Sequence, residues 1–244
     1  MVGTWPALLL LSLSLLAGCS GPAPIPTPHG PAPATDPAAA ELAQTSIERL
    51  ATLTMRANLD SLYAIMRKLY RRNPAEWKKG GFASASAAAL QVRDAVEQQR
   101  DWPPLHGERD IRGLALALSP AFTGDRVAAL TYAAADMLIT ANGGRIRFYL
   151  PDRIEPQYLY NGARNIEIMV WMLAHRRDPK GHLLLLADEI SEQGRNLSFE
   201  REYGKIIGRL DLLSLVAGER YRRAAISYVH GLFAVEFLQF LPVR

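Results

Sequence analysis

Cysteine occurs once in the 244 residues, at Cys19. One thiol cannot build a disulfide framework, and its isolation removes the cysteine-based zinc patterns. Histidine is nearly as sparse: His29, His106, His175, His182 and His230, with no HExxH, no pair at i, i+4 and no Glu-x-x-His. A metal site would have to be gathered from distant positions, and none is expected. No Gly-x-Ser-x-Gly elbow or Ser-x-x-Lys motif is present, so nucleophilic catalysis has no sequence support. No unit recurs at solenoid spacing either. The chain reads as a non-enzyme that needs no cofactor. Charge of one sign is also missing from the first four residues, "MVGT", which hold no Lys or Arg.

What is present begins with "WPALLLLSLSLLAG", Trp5 to Gly18, an apolar run that ends in small residues. It is shorter than the about 20 residues a membrane span needs, and suits an export signal. The next position is Cys19, and Leu16-Ala17-Gly18-Cys19 resembles the lipobox of bacterial lipoprotein precursors: an aliphatic residue, two small ones, then cysteine. The resemblance implies cleavage between Gly18 and Cys19, a diacylglycerol on the thiol and acylation of the new amino group. Each buried methylene of those chains contributes about 0.8 kcal/mol, so two or three chains hold a protein firmly on a bilayer. Ser20 is not the aspartate that retains such lipoproteins at the inner membrane of enteric bacteria. The resemblance therefore implies an outer-membrane location facing the periplasm.

Seven prolines follow between Cys19 and Pro37. Alternating Pro-Ala excludes helix and favours polyproline II, so residues 19–36 form a disordered tether that reaches up to ~55 Å. The expected organisation is a signal over 1–18, this linker, and a helical domain over 37–244.

That domain is expected to be all-α, an irregular bundle of about seven to eight helices. Asp36-Pro37 supplies a cap and a first-turn proline. Leu42, Ile47, Leu50, Leu53, Leu62, Ile65 and Leu69 then recur at helical spacing up to about Arg72, with a possible break at Asn58-Leu59-Asp60. In "RNPAEW", Asn73, Pro74 and Glu76 read as cap, first-turn proline and capping-box partner of a new short helix ended by Gly80-Gly81. Further helices are expected over 84–100, in "DIRGLALALSP", over 125–142 and over 156–177. "RIRFYL" (145–150) alternates but has no partner strand, so it reads as extended loop. Asp178-Pro179 is expected to open a helix through "KGHLLLLADEISEQG", Ser198 one to about Gly218, and Glu219 the last, to about Phe240. "AAISYVHGLFAVEFLQFLPV" is long enough to span a bilayer. Glu236 inside it, with Tyr228, His230 and Gln239, favours a buried core helix instead.

Among candidate sites the strongest signal is basic. "RKLYRRNPAEWKK" gathers Arg67, Lys68, Arg71, Arg72, Lys78 and Lys79 around one Glu76, with Tyr70 and Trp77 interleaved. Arg67, Lys68, Arg71, Arg72, Trp77, Lys78 and Lys79 are the candidate site for an anionic partner. Arg220, Arg222 and Arg223 form a smaller second group. The net charge of +4 points to anionic envelope partners, a protein face or a polymer, rather than to nucleic acid. His175, His182, Asp178, Asp188 and Glu189 are the nearest approach to a ligand cluster, and read as a solvated corner. Asp136, Glu167 and Glu236, with Arg164 and Asn165, are polar positions in apolar helices and read as structural pairs. Gly204 and Gly208 would admit a neighbouring helix closely. The functional expectation is a membrane-anchored envelope lipoprotein acting as a binding or assembly component. An envelope enzyme on a lipid or cell-wall substrate, or a carrier of an apolar ligand between helices, are the alternatives.

Overall fold

The computed structural model describes residues 43–150, 152–191 and 194–238. The chain divides into units 1–39 and 40–244. The lipobox, the cleavage position Gly18–Cys19, the proline tether and the Asp36-Pro37 start all lie outside the described residues. The second unit is all-α: seven helices among the described residues, with a single small hairpin.

Helix α1 runs Ser46–Arg72. Thr45 and Glu48 open it as a capping box, the Thr45 N–H donating to Glu48 Oε2 at 2.8 Å. Met55, Leu62, Met66 and Leu69 form its buried stripe. The helix does not break at Asn58, which is fully buried and takes a bond from Arg209; the same guanidinium reaches the Ala57 carbonyl at 3.1 Å and Ser61 Oγ at 3.0 Å. A polar residue that suggested an interruption is the seat of an arginine from the far end of the chain.

The turn after α1 differs in detail from its sequence reading. Helix α2 is Glu76–Lys79, but Asn73 caps the end of α1 and ties down the chain at Leu186, whose N–H it accepts at 2.8 Å. Glu76 caps a different helix, accepting the Arg126 N–H at 2.9 Å. Helix α3, Ala85–Glu97, begins on Ser84, whose hydroxyl accepts from the Ala87 N–H. Pro103–Leu105 make a 3-10 turn, and α4 is Asp110–Ala117. Helix α5, Arg126–Ala141, is the centre of the unit: every residue of it except Thr140 is buried. A helix covered on all sides carries no polar face, and its alanines let neighbours approach closely. Residues 145–150 form no strand; Phe148 is fully buried and its N–H donates to Thr52 Oγ1.

Helix α6 is Pro156–His175. The expected helix after Asp178-Pro179 is absent. Asp178 Oδ1 instead accepts the N–H groups of Lys180 and His182, both at 2.9 Å, and Gly181 adopts a left-handed φ of +84°, which closes a tight loop. Strands β1 (Glu189–Ser191) and β2 (Gly194–Asn196) then pair antiparallel, Ile190 opposite Arg195.

The two expected C-terminal helices are one, α7, Ser198–Leu238, running through Gly218. Phe199, Tyr203, Ile206, Leu210, Leu213 and Ala217 repeat every three to four residues and are buried against α1 and α6. Burial of the stripe stops there. From 221 to 230 every residue is exposed, so this stretch is not a core helix. No helix among the described residues is long and apolar enough to cross a membrane.

Candidate functional site

Where α1 lies beside α3, Tyr63, Met66, Arg67, Tyr70 and Arg71 face the α3 positions Ser86, Ala89, Leu90 and Arg93 across an open hollow of about 480 Å³. Arg67 and Arg71 are exposed, one turn apart, with no carboxylate partner among the described residues. Arg93 is held by Glu97 at 2.7 Å, and its guanidinium lies 5.4 Å from the Tyr63 ring centroid. The first turn of α3, with Ala85 and Ser86 on the hollow, adds the positive end of a helix dipole.

Tyr63 is 3% exposed, and its buried hydroxyl has no hydrogen-bond partner among the described residues. Burial, reinforced by Glu97, pushes its phenol up, so it stays protonated and can donate. A second hollow of about 730 Å³ continues back along α1 and shares Tyr63 and Arg93. It adds Arg56 and Arg147, with Asp60 and Glu97 as its carboxylates. The two adjoin at Tyr63 and Arg93, and between them are lined by five arginines and two acids; the pair is the α1–α3 groove.

The seven basic-run candidates separate in the fold. Arg67 and Arg71 line the groove. Lys68 donates to the Ser198 carbonyl at 2.8 Å and sits over Phe199, and Arg72 pairs with Glu189 at 2.8 Å; both fasten α1 to the C-terminal half. Lys79 pairs with Glu76, whose carboxylate caps α5. Trp77 packs half-buried on the core with Lys78 over its ring at 5.4 Å. Sequence reading missed Tyr63, Arg93, Arg56 and Arg147. The one available signal was helical spacing, since Arg56, Tyr63 and Arg67 recur on one side of α1.

In the second basic group three arginines share two carboxylates. Arg220 pairs with buried Glu48 at 2.9 Å. Arg222 and Arg223 both reach Glu219, and the Arg222 hydrogen bond leads in drawing that carboxyl down to about 2. Asp136 is gripped by Arg109, and Arg164 bridges Glu167 and Asp211. His182 faces Asp178 at 3.4 Å, His175 is stacked on Trp171, and Asp188 accepts the Phe199 N–H at the start of α7. No three His, Cys, Asp or Glu side chains among the described residues gather as a metal site. Gly204 and Gly208 have no neighbour within 4 Å of an added Cβ, so they admit no close helix. That role belongs to Gly162, where a Cβ would stand 2.8 Å from the Ala141 Cβ. No family model, no curated protein and no solved structure matches this chain.

Proposed function

We propose that this chain is a lipid-anchored envelope protein that performs no chemistry itself and holds an acidic, extended segment of another envelope protein in the α1–α3 groove. The anchor is Cys19, on the strength of the Leu16-Ala17-Gly18-Cys19 pattern and the proline tether behind it. Outer-membrane attachment facing the periplasm is the corresponding location. The observation that carries the binding role is the pair Arg67 and Arg71, exposed on one edge of the groove with no carboxylate partner among the described residues. The groove follows α1 from Thr52 to Arg71, about 30 Å at the helical rise. An extended segment of about nine residues covers that length, and its backbone carbonyls and acidic side chains suit a lining in which five arginines outnumber the two carboxylates, Asp60 and Glu97.

Two measurements test this. Cys19→Ser should release the protein from membranes on fractionation; a variant still cleaved and membrane-bound like wild type removes the anchor. A photo-crosslinker at Leu90, in full-length protein in its own envelope, should give adducts with an acidic protein. Arg67→Glu/Arg71→Glu should cut their yield by about tenfold or more, as loss of two charge contacts requires. Unchanged adducts in the double variant, or adducts with a glycan polymer only, would overturn the reading.

A further inference from the structure

A separate hollow of about 360 Å³ opens where α4, α5 and α6 meet, and no arginine lines it. This volume lies within the ~300–1,000 Å³ range of small-ligand sites. Met137, Ala141 and Gly162 form its apolar part, and the exposed Ile111 and Tyr158 stand beside them. The polar side chains on it are Asp110, Thr140, Asn161 and Asn165.

Asp110 is held there by construction. Its backbone is left-handed, φ +51°, a conformation that costs a non-glycine residue about 1 kcal/mol or more. Its N–H donates to Asp136 Oδ2 at 3.1 Å. Asp136 is itself buried and is gripped by Arg109, whose Nε reaches both carboxylate oxygens at 3.1 Å. A strained residue anchored in this way is over-determined, and its carboxyl is aimed rather than loose. Asp110 Oδ1 is buried with no hydrogen-bond partner among the described residues, so the carboxyl keeps acceptor capacity beyond the Thr140 hydroxyl that faces it. Burial raises the Asp110 carboxyl, against the opposing pull of the Thr140 hydroxyl.

The other walls supply the complementary groups. Asn161 Oδ1 is occupied by Gln157 Nε2 at 2.8 Å, which leaves its amide N–H groups as donors. Asn165 has no partner among the described residues. The two guanidinium groups that act on Asp110 are both engaged, Arg109 with Asp136 and Arg112 with Glu108 at 3.2 Å, so an anion finds no free counter-charge on the lining. Donors and an acceptor arranged around an apolar floor match a ring that carries adjacent hydroxyls on its rim and C–H groups on its face. We infer that the hollow between α4, α5 and α6 binds a neutral saccharide ring, with the Asp110 carboxylate accepting from one hydroxyl and the Asn161 and Asn165 amides donating to its neighbours. This site is independent of the arginine groove.

The test is saturation-transfer NMR on the full chain, in a detergent without a sugar headgroup. Glucose and N-acetylglucosamine are the probes, with glucuronate and choline as anionic and cationic controls. The neutral sugars should show transfer with a dissociation constant of about a millimolar, ordinary for one ring in a shallow site. Asn161→Ala/Asn165→Ala, both at half-exposed or exposed positions, should weaken this by about tenfold or more. The isosteric Asp110→Asn should weaken it as well, with an unchanged helical spectrum, while Arg67→Glu/Arg71→Glu leaves it untouched. Absence of transfer to both neutral sugars, tighter binding of either charged control, or wild-type binding by the double asparagine variant would overturn the assignment.

Discussion

Replacing Arg126 with methionine removes a guanidinium that holds together the connection between α4 and α5. Arg126 is 6% exposed, and its Nη1 donates to the carbonyls of Ala117 at 2.9 Å and Ser119 at 2.6 Å. Its Nη2 donates to Phe122 at 2.6 Å and, more distantly, to Pro120 at 3.4 Å. Burial lowers the guanidinium, opposed by Glu76, but an arginine keeps its charge at any pH of interest. Hydrogen bonds to a charged group are worth about 1.5–3 kcal/mol each, and four from one side chain do not add. Ser119 and Pro120 sit near solvent and can find water; the Ala117 and Phe122 carbonyls belong to buried residues and lose their donor outright. The expected cost of Arg126→Met is therefore ~3–5 kcal/mol, a large share of the ~5–15 kcal/mol of an ordinary domain. Arg126→Lys keeps the charge but not the planar fork, so one or two carbonyls stay served and the cost falls to about 2 kcal/mol. Urea unfolding of all three proteins, with equal slopes, reads these values directly. A methionine variant within ~1 kcal/mol of wild type, or a lysine variant worse than methionine, refutes the capping account.

Two further outcomes follow from the helix termini and the glycines. Gly204→Ala and Gly208→Ala put a methyl into open space on an exposed helix face, so each should stabilise by ~0.5–1 kcal/mol in thermal or urea melts; destabilisation shows that something covers that face. Burial pulls the Glu48 carboxyl up, but the bonds from Thr45 and Arg220 together hold it below the ordinary 4.5. The folded value lies under the unfolded one, so its stabilisation is complete above about pH 4.5 and is lost as pH falls through the folded value. Glu48→Gln should flatten the acid limb of a stability–pH curve, and an unaltered limb counts against the pairing with Arg220.

The helices legible in the sequence are those whose boundary chemistry is local. Ser84 and Asp125 accept bonds from Ala87 and Ala128 three residues on, so the chain around them already specifies the start of α3 and α5. Asp178-Pro179 carries the same signature and makes no helix, because its side chain closes on His182 and Gly181 turns the backbone left-handed first. The short-range signal was real, and two competing structures could use it. Asn73 and Glu76 show the converse: residues fit for a local capping box are drawn to Leu186 and Arg126, partners far along the chain. The C-terminal region misled for a third reason. Apolar residues continue past Ala217 at the same three-to-four-residue spacing, at Tyr221, Ala225 and Tyr228, yet burial ends at Ala217; spacing shows which residues share a helix face and not whether another element covers it.

The same distinction explains why half of the candidate site was visible and half was not. On a helix, residues four apart are displaced by about 40° and adjacent ones by about 100°, so a run of four cations cannot share one destination. Arg67 and Arg71 fall on the side that faces α3, while Lys68 and Arg72, one step round, meet Ser198 and Glu189. Counting charge along the sequence merged these two pairs, and angular position separates them. The partners that complete the groove come from other helices and loops: Arg93 from α3 and Arg147 from the loop after α5. Neither sits in a basic run, so only the packing of α1 against α3 brings them to Tyr63. A variant series should respect that geometry. Neutralising Lys68 or Arg72 should lower stability and spare crosslinking through Leu90, whereas neutralising Arg67 or Arg71 should do the reverse, and a single common effect of all four would mean that the run acts only as undirected surface charge.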